Sequence, residues 1–278
     1  MTDVTIYDGL PQRDVEIQGF NVHLVEAGAG FPVVLVHGSP TSSILFRHQI
    51  AALSNHFRVI APDLLGFGQS AAPAGGTAFR EQAGVLRALL DHLGLERYAL
   101  LGHDWGGPIA MASAIQRPEQ VSRLVLVNTS LRPDFRPPWY WKPFVAPLLG
   151  ELLLVHLNLF GLGLPLMMRA ARDKSLHRRH VAPLRRADTR RTVLSLERLT
   201  GYAELMREVV DALPRMQVPT LILWGEPDGY FRSPEMQRLH ALIPHAELRA
   251  IPEGGHFPQE DATEVVSDAL LDFLRGAG

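Results

Sequence analysis

The chain contains no cysteine, so a disulfide framework, a thiol nucleophile and a thiolate metal site are excluded. It also lacks a phosphate-binding glycine loop and any partnered metal-ligand spacing such as His-x-x-x-His, and no cofactor or metal is expected. Excess charge of one sign is scarce. A formal net charge of -2 over 278 residues gives no general pull towards nucleic acid or an anionic membrane. The nearest approach to a long apolar run, 148–168, carries Glu151, His156 and Asn158 and is interrupted by Gly161, Gly163 and Pro165. A spanning helix needs about 20 mostly apolar residues, so this segment predicts one or two buried helices over a pocket. Met1-Thr2-Asp3-Val4-Thr5 lacks the basic and apolar parts of a signal peptide, which makes cytoplasm the expected compartment.

What is present is an ordinary globular composition, 46% hydrophobic and 20% charged, long enough for one large α/β domain or a domain with an insertion. Segments 14–18 and 21–26 read as a hairpin around Gly19. Pro32-Val33-Val34-Leu35-Val36 is continuously apolar, as in a strand buried on both faces. Strands follow at 58–61, 98–101 and 123–127, with helices at 79–93 and 106–116 between them. From 131 to 213 the pattern is helical, entered through Pro133, Pro137, Pro138 and Pro143. Alternation resumes with strands at 220–224 and 247–251 and a helix at 262–274. The fold class is therefore α/β: a mostly parallel central sheet flanked by helices. Residues 1–130 and 214–278 form the expected core, and 131–213 an inserted helical cap. The arginine-rich stretch from Arg169 to Arg191 reads as a solvated, partly ion-paired helical face.

The chemistry concentrates at strand ends on one sheet edge, where parallel sheets bind ligands. Gly102-His103-Asp104-Trp105-Gly106 lies between an apolar strand and a helix in the form Gly-x-nucleophile-x-Gly, with an aspartate at the centre. A carboxylate is ionised at neutral pH without a partner base, and the following helix N-terminus favours its charge. Pro108 suits the first turn of that helix. Ser39 follows the strand at 32–36. Asp228 follows the strand at 220–224, with Glu226 as an alternative acid. His256 lies in Gly254-Gly255-His256-Phe257, before the last helix.

His37-Gly38-Ser39-Pro40-Thr41-Ser42-Ser43, Ala61-Pro62-Asp63 through Ser70, 102–108 and Gly255-His256-Phe257-Pro258 together resemble the haloalkane dehalogenases and the related epoxide hydrolases. The resemblance implies an α/β-hydrolase fold and a two-step reaction. Asp104 displaces a leaving group from saturated carbon and forms an alkyl ester. Water deprotonated by His256 then hydrolyses the ester, with Asp228 orienting the imidazole. Backbone N–H groups of Trp105 and Ser39 are the expected oxyanion hole. Asn128-Thr129-Ser130 offers no carboxylate at the acid position some dehalogenases use. His103 is expected to pack beside the elbow, while Asp63 and Ser70 hold the loop after the second core strand.

The segments Thr41-Ser42-Ser43 and Gly106-Gly107-Pro108-Ile109 resemble the dehalogenase branch most. This puts halide first as leaving group, ahead of epoxide oxygen, β-lactone oxygen and, last, a ligand-binding role without turnover. A halide calls for N–H donors, whereas an alkoxide calls for a proton. Trp105 supplies one indole N–H, but Ser39 stands where typical dehalogenases carry asparagine. Trp139, Trp141, Tyr140, Tyr202 and Tyr230 are the candidate cap or rim contacts. The expected partners are a small apolar organic substrate and water, with the protein a monomer or homodimer.

Overall fold

A computed structural model describes residue 7 and residues 9–275, so the opening segment 1–5 lies outside the described residues. Eight strands form one sheet in the order β1-β2-β4-β3-β5-β6-β7-β8. β1 (Gln12–Ile17) and β2 (Phe20–Ala27) make the expected antiparallel hairpin, and β2 pairs antiparallel with β4 (Arg58–Pro62). The remaining pairings are parallel, through β3 (Pro32–Val36), β5 (Tyr98–His103), β6 (Val121–Val127), β7 (Thr220–Glu226) and β8 (Glu247–Pro252).

The continuous apolar runs are explained by burial on both faces. Val34, Val36, Leu100, Leu124 and Ile222 face one core cluster; Val33, Leu35, Leu101, Val125 and Leu221 face the other. Successive side chains of a strand point to opposite faces, so each layer takes alternate residues. Helices α1 (Arg47–Leu53) and α11 (Thr263–Leu274) cover the second face, and α2 (Phe79–His92) and α3 (Gly106–Ala114) the first. Each fully buried valine or leucine contributes about 1.5–3 kcal/mol, which makes this double layer the main support of the strand ends.

Between β6 and β7 the described residues contain helices and turns but no strand. The helical insertion comprises α4 (Lys142–Val145), a π-helical segment Glu151–His156, α5 (Leu159–Met167), α6 (Lys174–Val181), α7 (Ala187–Glu197) and α8 (Tyr202–Ala212). Among the described residues no helix is long and apolar enough to cross a membrane. Arg169, Arg172, Arg178, Arg185, Arg186 and Arg191 are exposed, and Arg191 pairs with Asp188 at 2.6 Å, whereas Arg190 turns inward. Arg190 donates to the carbonyls of Val155, Leu184 and Arg185 at 2.5, 2.6 and 2.8 Å and ties the insertion together. After β7 come α9 (Ser233–Leu242), β8 and the short α10 (Pro258–Asp261) before α11.

Candidate active site

The elbow is a consequence of two close approaches. Asp104 has φ 52°, a left-handed conformation that a side-chain-bearing residue adopts at a cost. A Cβ at Gly106 would lie 2.3 Å from the His37 carbonyl oxygen, and one at Gly38 would lie 2.1 Å from Asp104 Oδ1. Only glycine permits the helix start and the β3 loop to come this near. Thr129 Oγ1 donates to the Asp104 carbonyl at 2.6 Å and the Asp104 N–H donates to Val127 at 3.2 Å, so β6 anchors the turn.

The loop carrying Ser39 is fixed by Asp63. Its carboxylate accepts from the Ser43 N–H at 2.8 Å, the Ser43 hydroxyl at 2.7 Å and the Gln69 N–H at 2.9 Å. Ser70 Oγ donates to the Asp63 carbonyl at 2.7 Å. Thus fixed, the Ser39 N–H donates to Asp104 Oδ1 at 2.7 Å. The Trp105 N–H also favours the charged carboxylate, so both N–H groups expected of the oxyanion hole act on Asp104.

Asp104 Oδ2 faces His256 Nε2 at 3.6 Å, and His256 Nδ1 lies 2.8 Å from Asp228 Oδ2. Asp228 Oδ1 accepts from the Tyr230 and Phe231 N–H groups at 2.7 and 2.9 Å. Asn128 Nδ2 donates to Asp228 Oδ2 at 2.8 Å, while its own Oδ1 accepts from the Gly225 N–H at 2.8 Å. The position lacking a carboxylate therefore steadies the carboxylate in the loop after β7. Glu226 is engaged elsewhere, accepting from the Ser233 hydroxyl at 2.8 Å. His103 Nε2 sits 2.9 Å from the His256 carbonyl and burial holds its imidazole well below the ordinary value, consistent with a packing role.

Burial changes the charge expected of Asp104, which is 2% exposed. It pushes the carboxyl up to about 8; His256 opposes this, the charge of Glu197 adds to it, and the Trp105 and Ser39 N–H groups oppose it. The helix N-terminus and its N–H donors are thus outweighed by desolvation. Burial lowers the His256 imidazole, but the charge and hydrogen bond of Asp228, followed by the charges of Asp104 and Glu197, hold it above its ordinary value.

Glu197, the last residue of α7, enters the same site. Its Oε1 accepts from Trp105 Nε1 at 2.9 Å, and its Oε2 from Trp141 Nε1 at 2.8 Å and the Tyr230 hydroxyl at 2.9 Å. Burial raises its carboxyl above the ordinary range; Trp105, Tyr230, Trp141 and Ser39 act against that rise. Ser39 Oγ makes no hydrogen bond of ordinary geometry, so its influence is through proximity. The sequence reading missed Glu197 because it sits among arginines. The available signal was helical spacing: Thr189, Val193 and Glu197 repeat every four residues on one buried row.

A family profile of the alpha/beta hydrolase fold matches residues 32–263. The chain belongs to the α/β-hydrolase family. Over 271 residues it is 37% identical to haloalkane dehalogenase 2 of Mycobacterium tuberculosis, covering 90% of each chain. Over 281 residues it is 29% identical to a soluble epoxide hydrolase of a Corynebacterium species, covering 93% of this chain and 95% of the relative. The crystal structure of the haloalkane dehalogenase DatA from Agrobacterium tumefaciens superposes with TM-score 0.89 at 26% identity, covering 99% of this chain and all of the other.

The other expected contacts of this α/β-hydrolase separate by position. Trp141 and Tyr230 join Trp105 around Glu197, whereas Trp139 is 75% exposed on the outer wall. Tyr140 donates to the Gly229 carbonyl. With Trp141, Leu166, Met167, Tyr230 and His256 it lines a cavity of about 130 Å³ that reaches the imidazole. Tyr202 is not at the rim: its hydroxyl donates to the Ser130 carbonyl at 2.8 Å, and its ring packs edge-on against Trp105 at 5.6 Å.

Proposed function

We propose that this α/β-hydrolase is of the haloalkane dehalogenase type, forming and then hydrolysing an alkyl ester on Asp104. The carrying observation is the line from the Ser39 N–H through Asp104 and His256 to Asp228. Asp104 Oδ2 attacks the halogen-bearing carbon while halide departs. Water then loses a proton to His256 Nε2 and adds to the ester carbonyl. The oxyanion develops on Oδ1, already within hydrogen-bonding reach of the Ser39 N–H, which is the arrangement that stabilises such charge. Asp228, held by Asn128 and the Tyr230 and Phe231 N–H groups, orients the imidazole and stabilises its cation.

Residues 131–213 serve as the cap over this site, and residues 1–130 with 214–278 as the core. The substrate is small and apolar, suited to the cavity lined by Trp141, Leu166, Met167 and Tyr230. The protein acts in the cytoplasm as a monomer or homodimer, without a cofactor, nucleic acid or membrane partner. Opening of an epoxide by the same aspartate is a second reading, supported by the epoxide hydrolase among the relatives and by the carboxyl group of Glu197 beside the leaving-group donors. Intact mass and peptide mapping of His256→Gln exposed to a bromoalkane test the reading. A stable alkyl adduct on Asp104 is expected, and wild-type turnover without any such adduct in the variant would end it.

A further inference from the structure

Trp105, Trp141 and Tyr230 converge on one point beside the nucleophile, and that point is filled by the Glu197 carboxyl group. All three donors are neutral. The adjacent cation, Arg198, turns away to pair with Glu151 at 2.7 Å. Glu197 also closes α7, and the C-terminal end of a helix disfavours negative charge. The titratable groups facing it are Asp104 and His256 from the core and Tyr230 from the loop after β7. Asp104, Asp228 and Glu197 thus share a dry site with one imidazole. Burial raises the Asp104 and Glu197 carboxyl groups alike, and the donors around Glu197 oppose its rise. The reacting state is the one with Asp104 ionised and the proton on Glu197.

The tyrosines offer no free proton for a departing oxygen. The hydroxyl of Tyr202 is committed to the Ser130 carbonyl, that of Tyr140 to the Gly229 carbonyl and that of Tyr230 to Glu197. Of the other two in the chain, Tyr7 donates to Asp63, and Tyr98, which accepts from Arg87, stands at the end of β5 opposite the elbow. Halide departs without needing a proton, whereas an alkoxide does not leave readily without one. Glu197 is the acid that the geometry puts against the indole donors of Trp105, next to the nucleophile, and Trp141.

We infer that Glu197 is the proton donor of the leaving-group site and gives this hydrolase an epoxide-opening activity alongside carbon–halogen cleavage. The inference rests on Asp104 being the nucleophile. As the Asp104 Oδ2–carbon bond forms, the ring carbon–oxygen bond breaks and its electron pair takes the Glu197 proton. The product is a β-hydroxyalkyl ester and an ionised Glu197. Hydrolysis of that ester by water regenerates the Asp104 carboxylate and releases one proton, which passes by way of His256 back to Glu197. The net reaction is epoxide plus water to diol.

The test uses the full chain with His256→Gln, in which the ester accumulates, and measures single-turnover alkylation of Asp104 by 1,2-epoxyhexane and by 1-bromohexane. Adding Glu197→Gln is expected to lower the ratio of epoxide to bromoalkane rates about 100-fold or more, the usual scale of a lost general acid. Glu197→Asp should recover part of it. With Glu197 present, epoxide alkylation should decline at high pH as its proton is lost, and Glu197→Gln should abolish that alkaline limb. An unchanged ratio overturns the inference, as does equal loss with both electrophiles. Bromoalkane alkylation without epoxide alkylation in the presence of Glu197 overturns it while leaving the Asp104 reading intact. Absence of any Asp104 adduct, despite wild-type turnover, removes both.

Discussion

The indole N–H of Trp105, one residue past the elbow aspartate, donates to the carboxyl group of Glu197 at 2.9 Å, joining core and cap in the middle of the site. An N–H suited to solvating a departing halide is satisfied here by an internal acid. Substrate must therefore displace this contact or use it.

Asp228→Asn should leave the first step largely intact and slow the second. Its carboxylate lies 2.8 Å from His256 Nδ1, and an amide would lose the charge that supports the imidazolium. A fall in kcat of roughly 100-fold to 10,000-fold is expected. Mass spectrometry during turnover should detect accumulated ester; a slow variant with no ester would contradict this division of labour.

The pH dependence follows from Asp104. The nucleophile must be ionised, and burial pushes its carboxyl up to about 8. Single-turnover alkylation by a bromoalkane should therefore rise with pH and level off above that value. A rate flat from about pH 5 to 9 would show that desolvation is not felt in the reacting complex.

The same shift has a stability consequence of opposite sign. An acid with a raised folded pKa binds a proton in the folded state that the unfolded state has already lost. Its penalty is absent below the unfolded value near 3.8 and grows as pH rises towards about 8. Asp104→Asn should therefore raise Tm, more at pH 9 than at pH 5, by roughly 2–4 °C per kcal/mol gained. Calorimetry showing the same gain at both pH values would speak against the buried charge as its source.

The two cap tryptophans should behave differently. Trp141→Phe removes a donor 2.8 Å from Glu197 and should reduce bromoalkane turnover roughly 10-fold to 100-fold. Trp139→Ala, at an exposed position, should change stability by less than about 0.5 kcal/mol and turnover little. Equal losses in both variants would place the tryptophan effect outside the leaving-group site.

Tyr202→Phe leaves the buried Ser130 carbonyl without its donor and should cost about 1–3 kcal/mol in denaturant unfolding. Epoxide alkylation of Asp104 should persist. Its selective loss would make this tyrosine, rather than Glu197, the acid.

The framework was legible because its signals are local. Continuous apolar runs marked β3, β5 and β7, and the glycines around Asp104 marked the elbow. Asp228 and His256 were found because each lies just beyond a strand of a parallel sheet, where the topology gathers side chains at one edge. Asn128 was read only as a missing acid, since its hydrogen bond to Asp228 spans 100 positions in the chain. Trp139 and Trp141 looked alike in a proline-rich entrance, and only the turn of the chain there half-buries Trp141 and exposes Trp139.

By itself the sequence determined the strand–helix order, the strained turn at Asp104 and the order of the three acid–base residues. These depend on periodicity, glycine sterics and turn chemistry over a few neighbouring positions. Tertiary structure alone decided that Glu197, 92 positions from Trp105, accepts from its indole N–H, and that burial raises the Asp104 carboxyl above its ordinary range. Both depend on the cap excluding water from the sheet edge, and desolvation arises only when distant segments meet.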